Sequence, residues 1–111
     1  MILSHASALQ SARPTITLTT CDSIRTNWLF DTGADVSCMD SSLFEKLHQS
    51  KAIKKLAIDR VLTAASSDRL KVTGKYAIPI EATVGQQTKR IEAEIYVCEG
   101  LNEKAILGID L

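Results

Sequence analysis

Nowhere in this 111-residue chain does an apolar run approach the ~20 residues needed to cross a bilayer. The opening Met1-Ile2-Leu3-Ser4-His5 lacks the basic start and long apolar stretch of a secretory signal. No charge of one sign dominates: 13 Lys and Arg balance 13 Asp and Glu, which argues against a nucleic-acid-binding arm or a membrane-surface patch. Cysteine is sparse and odd in number. Cys21, Cys38 and Cys98 lie far apart with no Cys-x-x-Cys spacing, and read as core or surface thiols of a reducing, cytoplasmic compartment. His5 and His48 have no metal-ligand spacing around them and read as surface residues, so neither a metal nor a cofactor is expected. Repeats, low-complexity tracts and internal linkers are missing as well. What remains is a single domain of ordinary apolar content with one modest core.

Residues 1–13 mix small, polar and apolar types without period, and are either a flexible leader or a terminal strand that needs a partner to become ordered. The domain proper spans 14–111. Pro14 opens Thr15-Ile16-Thr17-Leu18-Thr19, which alternates as a half-buried strand does. Cys21-Asp22-Ser23 turns the chain into a returning strand from Ile24 to Phe30. Ser42 and Glu45 have capping-box spacing, and Leu43, Phe44 and Leu47 share one helical face, so a short helix is expected. Residues 51–55 read as a charged surface connector. From Ile58 strands return: 60–63 and Leu70–Val72 flank the small, polar run Ala64-Ala65-Ser66-Ser67-Asp68 as a β-hairpin, which Gly74 breaks or kinks. Tyr76, Ile78 and Ile80 lie on one side of the next strand, which turns at Gly85. Ile91, Ala93, Ile95 and Val97 form one face of the strand after it, with Glu92 and Glu94 on a wet opposite face. Gly100-Leu101-Asn102 is a loop before the apolar Ala105-Ile106-Leu107-Gly108. The domain is mostly β with one or two short helices.

One stretch carries a chemical tension. Trp28-Leu29-Phe30 runs straight into Asp31-Thr32-Gly33-Ala34-Asp35. A carboxylate delivered by a buried strand is costly unless it is hydrogen-bonded or shares a proton. Thr32 can bond local backbone, and Gly33 permits close approach to a ligand. The tripeptide alone decides nothing, since it arises by chance in roughly a few per cent of chains this long.

The order and spacing of three pieces settle its meaning. Trp28-Leu29-Phe30-Asp31-Thr32-Gly33-Ala34-Asp35, the hairpin at 64–68, and Ile106-Leu107-Gly108-Ile109-Asp110-Leu111 together resemble a retropepsin, the aspartic protease of retroviruses and LTR retrotransposons. The resemblance covers about residues 14–111. It implies a closed β-barrel or sandwich with a flap hairpin, and a homodimer in which each chain supplies one Asp31. Two carboxylates on a two-fold axis share one proton, the familiar behaviour of aspartic-protease dyads. One Asp31 would take a proton from the attacking water and the other would protonate the peptide carbonyl. Thr32 would hold the two loops in register, with Gly33 and Gly108 supporting the catalytic loop. The backbone of Gly33 and the side chain of Asp35 would engage the substrate main chain, and Ala65 and Ser66 at the flap tip would cover it. The implied substrate is a Gag-Pol-type polyprotein, processed in the cytoplasm or within virus-like particles, and Lys71-Val72-Thr73-Gly74-Lys75 is more like a retrotransposon enzyme than a viral one.

Three departures qualify the match. The flap tip has alanines and serines where the family often has glycine, which implies a stiffer flap or a hinge elsewhere. Ile109 stands where many viral enzymes have arginine, so any salt bridge from that position to Asp35 is lost. The family's C-terminal dimer strand has no counterpart before Leu111: either the sequence is trimmed or the dimer is held in another way. A chain without that strand is expected to fold yet dimerise weakly and be poorly active. Ile2 and Leu3 are either an N-terminal dimer strand or part of a disordered leader. Rival readings are a binding module that has lost turnover and a domesticated or cellular protease of the same fold.

Overall fold

The computed structural model describes residues 15–21, 24–31, 34–47, 50–63, 69–101 and 103–108. The leader at 1–13, both histidines and the flap tip at 64–68 lie outside these.

The first two alternating runs pair as expected. Strand β1 (Thr15–Thr20) runs antiparallel to β2 (Ile24–Phe30), with Thr15 opposite Leu29 and Thr20 opposite Ile24. The long hairpin of β5 (Lys71–Val84) and β6 (Gln87–Glu99) turns at Gly85, whose φ of 61° suits glycine. Gly74 does not end β5. It marks a register shift against β6 between Val72 and Gly74, a bulge that bends the strand while keeping it continuous.

Two strands have no alternating signature. In β3 (Ser37–Asp40) all four residues are buried, and in β7 (Ala105–Leu107) all three are. A strand buried on both faces cannot show a period of two, so β3 escapes a reading based on alternation. Among the described residues the sheet order is β1-β2-β7-β3-β6-β5, and pairing of Thr19 and Thr20 with Glu81 and Ile80 returns it to β1. The result is a closed six-stranded barrel. Residues expected to be a plain connector include a short edge strand, β4 (Lys54–Leu56), paired outside β5 and largely exposed.

The helix α1 (Ser41–Phe44) is shorter than expected, and its cap is Asp40 rather than Ser42. Asp40 accepts the N–H of Ser42 at 3.1 Å and also its hydroxyl, so Ser42 is a donor here and Glu45 stands at the C-terminal end. The next turn tightens, with Lys46 and Leu47 bonding three residues back. Leu43 and Leu47 are buried, and Phe44 stacks on Tyr76 with ring centroids 4.4 Å apart.

Side chains alternate between two clusters. Trp28, Met39, Ala93, Ile95, Ala105 and Leu107 join Leu18, Ile78, Ile80 and the helix in the first. Leu29, Cys38, Tyr96, Cys98 and Ile106 join Ala34, Val36 and Leu62 in the second. Glu92 and Glu94 are exposed as expected, but Ile91 is 45 % exposed and does not extend the buried face. It lies two residues further than the buried Ala93 from the Ile95–Cys98 segment that β3 covers. All three cysteines are buried and unbridged. A hydrogen bond from Cys38 pulls the Cys98 thiol below its usual value, against burial and the nearby Asp40 charge.

Candidate active site

The site is built by the way β7 enters the barrel. Strands β2 and β3 are consecutive in the chain but do not pair. The last strand lies between them, parallel to β2 (Leu29 opposite Ile106, Phe30 opposite Leu107) and antiparallel to β3 (Cys38 opposite Ile106, Met39 opposite Ala105). The chain that leaves β2 must therefore cross the end of β7 before returning as β3. Asp31 and residues 34–36 stand at the two sides of that crossing, and Gly108 lies against the backbone of Ala34 and Val36.

The contacts follow from this geometry. The N–H of Asp31 donates to the carbonyl of Leu107 at 3.0 Å, carrying the β2–β7 pairing one residue further. The Asp31 carbonyl accepts the N–H of Ala34 at 3.1 Å. Ala34 and Val36 turn into the second cluster and anchor the crossing from below. The N–H of Gly108 donates to the hydroxyl of Ser37 at 3.1 Å, joining the two ends of the motif in a buried bond. A side chain at 108 has no space, since its Cβ would stand 2.4 Å from the carbonyl oxygen of Val36 and 2.8 Å from that of Ala34.

Asp31 thus sits at a strand end with its position fixed on both sides, and it is only 4 % exposed. Asp35, four residues on, is exposed beside the buried Ala34 and Val36. Phe30, the residue before Asp31, is 49 % exposed although it follows two buried residues. Thr32, Gly33, Ala65 and Ser66 lie outside the described residues. The structure therefore brings together Asp31, Asp35 and Gly108 of the expected set. The arms of the expected flap meet through a bridge between Thr63 and Arg69 and a bond from the Leu70 N–H to the Leu62 carbonyl at 2.9 Å. They are less regular than the continuous strands expected there.

Sequence reasoning missed two supporting residues. Ser37 is a small hydroxyl with no local pattern, and its partner is 71 residues away. Asp40 reads as an ordinary polar residue before a helix. In the fold it is 7 % exposed, accepts the Leu101 N–H at 3.0 Å, and has the Lys104 ammonium 3.8 Å away. It thereby ties the segment leading into β7 to the end of β3. Among the described residues no group of His, Cys, Asp and Glu is arranged to hold a metal ion, and no helix is long and apolar enough to cross a membrane.

Neither a protein-family model nor a curated protein matches the sequence. Solved structures do match by shape. One is EIAV protease complexed with the inhibitor HBY-793, at a TM-score of 0.62 and 20 % identity, covering 92 % of this chain and 86 % of that one. Another is the retroviral protease-like domain of Ddi1 from Leishmania major, at a TM-score of 0.58 and 15 % identity, covering 91 % of this chain and 75 % of that one. At such identities the likeness is one of fold.

Proposed function

On the footing of a retropepsin-like fold, we propose that this chain is one half of an aspartic endopeptidase, with Asp31 as its catalytic residue. The observation that carries the reading is the placement of Asp31: a nearly buried carboxylate at the end of β2, held over β7 by backbone on both sides. A carboxylate in such a position is costly as a structural group, whereas a second one facing it would share its proton and make an acid–base pair. One chain supplies one such group, so the enzyme is a homodimer with the two Asp31 side chains on its axis. One deprotonates a bound water as it attacks the peptide carbonyl and the other protonates the carbonyl oxygen. As the C–N bond of the resulting diol breaks, the first gives its proton to the leaving amine and the second takes a diol proton back, which restores the pair.

Asp35 is exposed where it can accept a substrate N–H, and the exposed Phe30 supports a preference for apolar peptide side chains. The substrate class we propose is a polyprotein of the Gag-Pol type, from a retrotransposon or a related element. The three unbridged thiols fit a reducing, cytoplasmic setting.

The test is cleavage of an apolar peptide at mildly acidic pH, with any flanking sequence of the native polypeptide retained. We expect turnover, inhibition by a statine-type transition-state mimic, and loss of at least about a thousandfold in kcat for Asp31→Asn with an unchanged melting temperature. Cleavage that survives Asp31→Asn sinks the assignment.

A further inference from the structure

Lys75 is the one lysine among the described residues that is buried, at 8 % exposure in the middle of β5. Its neighbours across the sheet are Leu56 of β4 and Tyr96 of β6. The ammonium lies 5.1 Å from the centre of the Tyr96 ring, 3.0 Å from Glu94 Oε1 and 3.2 Å from Asp59 Oδ2. The second oxygen of Asp59 accepts the Tyr96 hydroxyl at 2.5 Å and has Arg60 Nε 3.9 Å away.

The position of Asp59 gives this cluster its interest. After β4 the chain leaves the barrel at Leu56 and does not re-enter it until Leu62, which is fully buried in the second cluster. The five residues between are all exposed, and they include Ile58 and Val61, about half exposed. They carry no strand pairing, and they lead directly into the first arm of the hairpin at 63–69. Asp59 is where this exposed lead is fastened to the barrel. Tyr96, which receives it, packs in the same cluster as Ala34 and Val36 of the Asp31 loop. The fastening therefore joins the root of the hairpin to the wall behind that loop.

Stability alone does not account for a buried ammonium. Desolvation offsets part of what the pairing of Lys75 returns, and well-packed apolar replacements of buried ion pairs are often neutral or stabilising. What such a pair does supply is a fixed geometry between elements. We propose that Lys75, with Asp59 and Tyr96, is a latch that holds the root of the hairpin against the barrel wall on which Ala34 and Val36 pack, so that Lys75 and Asp59 are positioning residues for substrate capture. As a role in catalysis this rests on the peptidase reading, but the latch itself can be observed without turnover.

The experiment compares Lys75→Met, Asp59→Asn and the double variant with the parent protein by amide hydrogen exchange and peptide kinetics. Asp59 is exposed enough that its variant will fold. We expect exchange of the Leu70, Lys71 and Val72 amides, which are bonded across the hairpin root or to β6, to quicken at least tenfold in either single variant, with β1–β2 amides changed at least threefold less. KM should rise several-fold with kcat within about twofold, Lys75→Arg should restore most of the parent behaviour, and the double variant should be no worse than the worse single. Parental exchange at 70–72 in both single variants overturns the latch, as does quickening spread equally over β1–β2. A parent protein that cleaves nothing overturns the peptidase reading and leaves the exchange result to decide the latch.

Discussion

A methyl group on residue 108 would collide with the backbone of Val36 at 2.4 Å, and backbone cannot swing aside as a side-chain tip can. Gly108→Ala must therefore lift the 31–36 crossing off the end of β7 or push β7 down. Overpacking of this kind costs about 1–3 kcal/mol. The same shift would strain the bonds of Asp31 to Leu107 and of Gly108 to Ser37. We expect urea unfolding to show a loss in that range and peptide cleavage to fall much further than stability does. An unchanged midpoint with unchanged cleavage would mean that the loop tolerates displacement. The glycine was legible in the sequence as a family-like element. The reason for it was not, because Val36 and residue 108 become neighbours only through the crossing.

Between elements, two carboxylates act as joints. Asp40 binds β3 to α1 and to the segment before β7, and Asp59 binds the hairpin root to β5 and β6. Burial pushes Asp40 up, but hydrogen bonds from Ser42 and Leu101 and the charge of Lys104 outweigh it and hold the carboxyl below the ordinary 3.8. The Tyr96 hydroxyl and the Lys75 ammonium hold Asp59 below the same value. A carboxylate more acidic in the folded state adds its full stability above the unfolded pKa and loses it as pH falls through the folded one. Lys75 acts in the opposite sense. Burial disfavours its charge, yet hydrogen bonds to Glu94 and Asp59 raise its pKa overall, so its contribution is whole below 10.5 and is lost only in strong alkali. The urea midpoint should thus hold steady from about pH 5 to 9 and fall below about pH 4, and Asp40→Asn should flatten the acid limb. A midpoint that stays level down to about pH 2.5 would contradict this account. Elements with a clean period, β1, β2 and the body of β5, were readable from the chain. Strand β3 was not, since both its faces are buried, and α1 was readable only as a face, since its cap depends on a long-range carboxylate.

For the molecule as a whole, the proposed peptidase reading requires two chains, since each barrel offers one Asp31. Turnover per chain should rise with protein concentration and level off where sedimentation shows the dimer complete. Mixing equal amounts of parent and Asp31→Asn chains should leave about one quarter of the dimers with two intact carboxylates, if both associate alike. Activity strictly proportional to the parent chain, independent of concentration and of the added variant, would mean that a single chain is sufficient.

The sequence by itself determined the mostly β character, the first hairpin, the long β5–β6 pair and the carboxylate at the end of β2, because each is written in neighbouring residues with a period or a motif. Tertiary structure alone decided that β7 divides β2 from β3, that Gly108 must be bare, and that Ser37, Asp40 and Lys75 hold the surroundings of the site together. Those facts rest on partners tens of residues apart, and a hydroxyl or an ammonium carries no mark in the chain of which distant group will meet it. The stretch around Asp31 marks a carboxylate at a strand end, and closure of the barrel gives it a fixed place.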